Sequence, residues 1–174
     1  MKHLLLLRHA KAVNAENGMA DRDRPLSARG HRDATLMGSV IASEPPDLIL
    51  CSPARRTRET LVDVLQHLKQ PPPAVYVDAL YDGGSDYRDV IAQSGGAASR
   101  VLLVGHNPAV HRTALSLTGA GDAALYAMLG GKFPTAALAM IAFSIADWTK
   151  LTRGSGELLA LQRPRDLGAL EDDD

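Results

Sequence analysis

Four consecutive leucines near the start of the chain constrain its fold more than any other feature. The run 4–7 is followed at once by Arg8 and His9. A short, unbroken apolar run is typical of a β-strand buried on both faces, and such strands belong to parallel sheets covered by helices. In these sheets ligands bind beyond the carboxyl ends of the strands, so we expect Arg8 and His9 at the mouth of a crevice. A nucleophilic imidazole beside a permanent cation suits the chemistry of a phosphoryl group.

The composition fits one globular domain. The chain has 174 residues, of which 45% are hydrophobic and 22% are charged, as in ordinary soluble proteins. We predict a single domain over residues 1–165, followed by an acidic and flexible tail over residues 166–174.

The charge balance and the single cysteine limit which binding partners and which cellular compartment we expect for the protein. A net charge of −1 provides no overall basic field for nucleic acid, and one cysteine, Cys51, excludes an internal disulfide. The leucine run ends too early for a signal peptide, and no stretch reaches membrane-spanning length. We therefore expect a cytoplasmic protein that binds neither nucleic acid nor membrane.

Strand patterns alternate with helical patterns along the chain. Ser27, Ser52 and Asn107 stand where helix N-caps are expected, and residues 119–131 give no clear pattern. The alternation predicts an α/β fold, a three-layer α/β/α sandwich with a mostly parallel sheet. The last two strands have no strong helix between them, and this favours an antiparallel edge strand. After the first strand, the predicted strands cover residues 48–51, 75–77, 101–104, 135–143 and 157–161.

Three of the predicted strands end in cationic or imidazole side chains. Arg8 and His9 follow the first strand, the pair 55–56 follows the second, and His106 follows the fourth. Each has an ordinary structural explanation, such as a solvated helix face or a simple helix start. If the strands are parallel, however, all three ends meet at one sheet edge together with two helix N-termini. This combination predicts a site for a dianion.

The segments that carry these residues resemble the signatures of the histidine phosphatase superfamily, which includes phosphoglycerate mutases and acid phosphatases. Two further segments resemble the small SixA-type phosphohistidine phosphatases, and the chain has no room for the large cap domain of bigger members. The segments are Leu7-Arg8-His9-Ala10, 52–60 (Ser-Pro-Ala-Arg-Arg-Thr-Arg-Glu-Thr), 105–108 (Gly-His-Asn-Pro), 24–30 (Arg-Pro-Leu-Ser-Ala-Arg-Gly) and 132–138 (Lys-Phe-Pro-Thr-Ala-Ala-Leu).

The resemblance implies a role for each matching residue. His9 would be the nucleophile that becomes phosphorylated, while Arg8, Arg56 and His106 would bind the phosphoryl oxygens. The signature places its arginine at position 56, which leaves position 55 exposed. Ala10 replaces the glycine that is commonest after the nucleophilic histidine, and it keeps that position small.

The general acid is open at this point. The mutase-like branch has a glutamate in a Leu-x-Glu context after the third strand, and Asp82 stands in the corresponding place. Asp82 equally fits the first position of an Asp-Gly-Gly turn. Neither a metal nor another cofactor is expected, because guanidinium groups oppose a cation and no metal-binding histidine spacing occurs.

The residues and the resemblance together predict a metal-independent phosphatase that works through a phosphohistidine intermediate on His9. Because imidazole is a better leaving group than an alkoxide, a site with a weak acid and no cap favours phosphohistidine in a partner protein. A phosphatase of a small phosphomonoester, such as a sugar phosphate or nucleotide, is one alternative. A non-catalytic module that binds phosphate or a phosphoprotein is another.

Overall fold

A single seven-stranded sheet forms the centre of the protein. The computed structural model describes residues 1–82 and 84–169. The strands are β1 (Lys2–Arg8), β2 (Leu48–Cys51), β3 (Ala74–Tyr76), β4 (Arg100–Gly105), β5 (Thr118–Gly121), β6 (Leu138–Phe143) and β7 (Gly156–Gln162). Their order across the sheet is β3-β2-β4-β1-β6-β7-β5.

Helices cover both faces of this sheet, which gives the predicted three layers. The leucines of β1 alternate between two cores, as side chains of a strand must: Leu5 and Leu7 pack with the first two helices, and Leu4 and Leu6 with the other three. Both faces of β1 are therefore apolar, which explains its unbroken leucine run. The helices are α1 (Ala28–Ser43), α2 (Arg55–Leu65), α3 (Arg88–Ser94), α4 (Ala109–Leu117) and α5 (Ala123–Gly130).

The sheet is mostly parallel, as predicted, but its antiparallel strand does not lie at the edge. β6 runs antiparallel to both β1 and β7 and lies between them. The edge position belongs to β5, which is parallel to β7. The sequence Thr-Gly-Ala-Gly of β5 has little β-propensity, which agrees with the lack of a strand assignment at residues 119–121. The rest of the unassigned range 119–131 includes the helix α5.

Only one of the three predicted helix caps is confirmed. The Ser27 hydroxyl accepts a hydrogen bond from the Gly30 N–H at 3.1 Å, which is the expected cap of α1. The caps predicted at Ser52 and Asn107 are wrong, because α2 and α4 begin further on, at Arg55 and Ala109, without a side-chain cap. Both polar side chains instead bind groups from other parts of the chain.

Short 3-10 turns complete the connections between the main elements. They cover Asp21–Asp23, Asp78–Leu80, Trp148–Lys150 and Pro164–Leu167. Residues 81–87 lead directly from the second turn to α3, and the described part of this connection holds no inserted cap domain.

The domain boundary at residue 165 stays a prediction. The turn Pro164–Leu167 spans it, and the acidic residues 171–174 of the predicted tail lie outside the described residues. Among the helices that the structure describes, none has the length and apolarity needed to cross a membrane.

We expect Leu6→Ala to lower the free energy of unfolding by about 3 kcal/mol, because it opens a cavity in the centre of the core. Leu6 is 0% exposed, whereas Leu159 on β7 is 47% exposed. Leu159→Ala, the matched control, should change stability by less than about 1 kcal/mol. Urea denaturation measures both. Equal losses for the two variants would contradict the assigned core.

Candidate active site

The strand register brings the three predicted strand ends to the same edge of the sheet. Leu7 of β1 and Cys51 of β2 both pair with Val104 of β4. The His9 N–H then donates to the Gly105 carbonyl at 3.0 Å, and the next residue along β4 is His106. The rings of His9 and His106 consequently lie with their centroids 5.2 Å apart. The predicted convergence is present in the structure.

One contact determines which nitrogen of His9 carries the proton. Nδ1 lies 2.7 Å from the Ala10 carbonyl oxygen, and a carbonyl can only accept a hydrogen bond. Nδ1 therefore carries the proton, and Nε2 carries the lone pair. The Ala10 N–H donates to the Thr60 hydroxyl at 3.0 Å, which anchors this segment to α2.

Hydrogen bonds also hold the ring and the backbone of His106 in place. Its Nε2 lies 2.7 Å from the hydroxyl of the fully buried Ser52. Its backbone N–H donates to the hydroxyl of Tyr87 at 3.1 Å, and that hydroxyl donates to the Leu80 carbonyl at 2.8 Å. Nδ1 of His106 is buried and has no hydrogen-bond partner within the described part of the chain.

The two arginines are positioned by backbone oxygens. Nη1 of Arg8 donates to the Phe133 carbonyl at 3.0 Å, and the Asn107 side chain donates to the same oxygen at 2.9 Å. Nη1 of Arg56 donates to the Asp21 carbonyl at 2.9 Å. Burial, followed by the repulsion of Arg56, lowers the pKa of Arg8. The two guanidinium groups thus concentrate positive charge at the strand ends.

Both imidazoles of the site are neutral at physiological pH. Burial, followed by the nearby His106, Arg56 and Arg8, lowers the pKa of His9 to about 3, against the opposing effect of the Ala10 carbonyl. Burial and then Arg56 lower the pKa of His106 to about 4. A neutral imidazole keeps the lone pair that a nucleophile needs.

The sequence analysis missed two residues of this site, Asp21 and Tyr81. The Asp21 carboxylate accepts a hydrogen bond from Nη2 of Arg56 at 3.1 Å and another from the Tyr81 hydroxyl at 2.9 Å. Partial burial raises the pKa of Asp21, but hydrogen bonds from Arg24, Tyr81 and Arg56 lower it to about 2. The Tyr81 ring also lies edge-on to His106, with centroids 5.6 Å apart.

Four of the five predicted site residues lie together, and Asp82 stands apart. Its side chain is exposed, and in the described structure it makes no hydrogen bond or ion pair with His9, Arg8, Arg56 or His106. The alternative Asp-Gly-Gly turn includes Gly83, which lies outside the described residues. The role of Asp82 as an acid stays a prediction.

The position of Arg55 agrees with its predicted exposure. It lies on the outer face of α2, where its Nε donates to Glu59 at 3.0 Å. Within residues 1–82 and 84–169, no group of three or more His, Cys, Asp or Glu side chains is arranged to hold a metal ion.

Comparisons with known proteins match both the sequence and the fold. Residues 4–82 match the model of the histidine phosphatase superfamily (branch 1). An uncharacterized protein of Mycobacterium tuberculosis strain H37Rv is 34% identical over 164 residues, which cover 91% of this chain and 100% of that relative.

Two solved structures resemble the chain over nearly its whole length. One is assigned to the phosphohistidine phosphatase SixA of Agrobacterium tumefaciens, with a TM-score of 0.76 and 30% identity over 94% of this chain and 98% of that one. The other, with the same assignment, is from Nakamurella multipartitia; its TM-score is 0.78, with 30% identity over 94% and 96% of the two chains.

We expect the protein to lose stability as the pH falls below about 6.5, the pKa of an imidazole in the unfolded chain. The unfolded chain then binds protons on His9 and His106, whereas the folded protein, with pKa values of about 3 and 4, does not. Each imidazole should contribute about 1 kcal/mol per pH unit between pH 6 and 5. Stability measured by urea denaturation should therefore depend less steeply on pH in His106→Asn. An unchanged slope would contradict the burial of a neutral imidazole.

Proposed function

Because the chain belongs to the histidine phosphatase superfamily (branch 1), we propose that it is a metal-independent phosphatase that hydrolyses phosphohistidine in a partner protein. One observation carries this proposal. A neutral His9, with its lone pair on Nε2, lies in a cluster with His106 and two arginines. Membership of the family supports phosphatase activity, and the geometry supports a nucleophilic role for His9.

The first step is attack by Nε2 of His9 on the phosphorus. A new P–N bond forms to His9 while the P–N bond to the partner's imidazole breaks. The partner's ring carries a proton on its other nitrogen, so the departing nitrogen keeps the electron pair and the ring leaves as neutral imidazole without a further proton. Arg8 and Arg56 neutralise the dianionic phosphoryl group and stabilise the charge on its oxygens during transfer. The Ala10 carbonyl stabilises the positive charge that develops on the His9 ring, because it accepts a hydrogen bond from Nδ1.

His106 supplies a further donor for the phosphoryl oxygens. When the Ser52 hydroxyl donates to Nε2 of His106, the proton of the neutral ring lies on Nδ1. That nitrogen is buried and has no other partner among the described residues, so an incoming oxygen would satisfy it. The arrangement makes Ser52 the residue that sets the tautomer of His106.

The second step returns the enzyme to its starting state. Water attacks the phosphorus of phospho-His9, the P–Nε2 bond breaks, and the electron pair returns to Nε2. Inorganic phosphate leaves, and the proton lost by the attacking water passes to solvent. No change of oxidation state occurs, so the cycle needs no redox cofactor.

The leaving group favours phosphohistidine over a phosphomonoester. An imidazole with a pKa of about 6.5 leaves far more readily than an alkoxide, which needs a proton donor in the transition state. The exposed Asp82 makes no hydrogen bond or ion pair with the four clustered residues in the described structure. Two relatives of similar length and fold carry a phosphohistidine phosphatase assignment, and this points to the same substrate class.

We place the activity in the cytoplasm, where the buried Cys51 thiol needs no disulfide partner.

We expect His9→Ala to reduce hydrolysis of a phosphohistidine peptide at least about 1,000-fold, because it removes the nucleophile. His3 lies at the opposite end of the same strand, and His3→Ala is the matched control, with activity within about twofold of the wild type. Acid-labile phosphate should be trapped on wild-type His9 and not on His9→Ala. Full activity in His9→Ala, or loss of wild-type activity with a chelator, would refute the mechanism. Failure to trap phosphate or detect turnover would favour the binding-module alternative.

The role of Asp82 separates the two enzymatic alternatives. We expect Asp82→Asn to change turnover of a phosphohistidine peptide by less than about twofold, because imidazole leaves without an acid. The same peptide with phosphoserine should be hydrolysed far more slowly by the wild type. Steady-state kinetics on both peptides provides the measurement. A loss above tenfold on phosphohistidine, or a preference for phosphoserine, would favour a phosphomonoesterase.

A further inference from the structure

One peptide group just after β1 is held from both sides by residues that are distant in the chain. The His9 carbonyl accepts a hydrogen bond from the Ala136 N–H at 3.1 Å. The N–H of the same peptide group, which belongs to Ala10, donates to the Thr60 hydroxyl at 3.0 Å. Ala10, Thr60 and Ala136 are all fully buried. The peptide group between His9 and Ala10 therefore cannot rotate without leaving a buried polar group unpaired, which is costly.

The Thr60 hydroxyl makes one bond that is ordinary in a helix and one that is not. Its single proton goes to the Arg56 carbonyl at 2.7 Å, as in many helical threonines. A lone pair of the same oxygen accepts the Ala10 N–H, because an N–H group can only donate. One oxygen atom thus joins the segment that carries His9 to the turn of α2 that carries Arg56.

The residue that holds the other side of this peptide group has a strained backbone. Ala136 has a φ of 59°, in the left-handed region that residues other than glycine rarely adopt. Such strain persists only where the surrounding structure imposes it, and it is frequent at functional sites. Here it accompanies the hydrogen bond from the Ala136 N–H to the His9 carbonyl. The fold therefore holds this peptide group even though the backbone conformation costs free energy.

From these contacts we infer that Thr60 is a positioning residue for the nucleophile: its hydroxyl fixes the His9–Ala10 peptide group and thereby keeps the Ala10 carbonyl against Nδ1 of His9. The inference rests on the proposed function, in which Nε2 of His9 attacks the phosphorus. The Ala10 carbonyl lies 2.7 Å from Nδ1 and keeps the ring proton there. If this carbonyl moves away, the proton can settle on Nε2 instead and block the attacking lone pair. Thr60 acts on the ring only through the backbone.

The chain provides a closely matched control for this role. Thr113 of α4 is as fully buried as Thr60. Its hydroxyl donates to the carbonyl four residues earlier at 2.7 Å and accepts the Tyr87 N–H at 2.8 Å. Thr60→Val and Thr113→Val therefore remove the same two kinds of hydrogen bond, one beside His9 and the other on the opposite face of the sheet. Thr60→Ser keeps the hydroxyl and serves as the rescue variant.

We expect Thr60→Val to lower kcat on a phosphohistidine peptide about 30-fold, because a small displacement of a reacting group is enough to slow a reaction by about 100-fold. KM should change by less than about threefold, since Arg8 and His106 keep their hydrogen bonds. Thr113→Val should lose as much stability in urea but keep kcat within about threefold of the wild type, and Thr60→Ser should do the same for kcat.

Two kinetic outcomes would overturn the inference. Equal losses of kcat in Thr60→Val and Thr113→Val would assign Thr60 a structural role only. A serine variant as slow as the valine variant would show that the hydroxyl is not the group that matters.

The tautomer of His9 is measurable without any reaction, and this separates failure of the inference from failure of the proposed function. Two-bond proton–nitrogen correlation spectra at neutral pH distinguish the protonated from the unprotonated nitrogen of each ring, and the signals missing in His9→Ala identify His9. We expect a single form, with the proton on Nδ1, in the wild type and in Thr113→Val, and a mixture of two forms in Thr60→Val. An unchanged tautomer in Thr60→Val would overturn the inference even if the wild type hydrolyses phosphohistidine. If the spectra change as expected but no phosphohistidine is hydrolysed, the positioning role of Thr60 stands and the proposed reaction falls.

Discussion

The parallel pairing of β1 with β4 is the constraint on which the whole site depends. It sets Arg8 opposite Gly105 and thereby places two histidines side by side at the carboxyl end of the sheet. A slip of one residue would exchange the leucines of β1 between the two cores and would break the bond from the His9 N–H to the Gly105 carbonyl. Packing of the leucines thus controls the geometry of the clustered side chains that lie beyond the strand ends.

The sequence patterns predicted the structural features that depend on residues close together in the chain, and few of the features that depend on distant residues. The leucine run predicted β1 because burial on both faces needs unbroken apolarity, and the strand ends predicted His9 and His106 because parallel strands share an edge. No sequence pattern around Asp21 indicates that it belongs to the site, because its partners Arg56 and Tyr81 are 35 and 60 residues away. Ser52 looked like a helix cap, since serine is common there, but it binds a histidine 54 residues away.

Burying the charged groups of the site together costs free energy, which other interactions must offset. Two guanidinium groups and two imidazoles share a partly dehydrated space, and burial disfavours the charged forms. Hydrogen bonds to the carbonyls of Ala10, Phe133 and Asp21 offset part of that cost. The remaining stability has to come from the two leucine cores beneath, which is a common relation between a rigid scaffold and a functional site.

The Asp21 carboxylate already occupies part of the cationic cluster. Nη2 of Arg56 already donates to the Asp21 carboxylate, while Nη1 donates to the Asp21 backbone carbonyl, so an anion that takes Nη2 must compete with a resident negative group. A chloride ion or a metabolite carboxylate offers a single charge and gains little from the exchange. A phosphoryl group brings two charges and three oxygens and gains more from the paired arginines. Asp21 therefore occupies one donor of Arg56 until another anion replaces it.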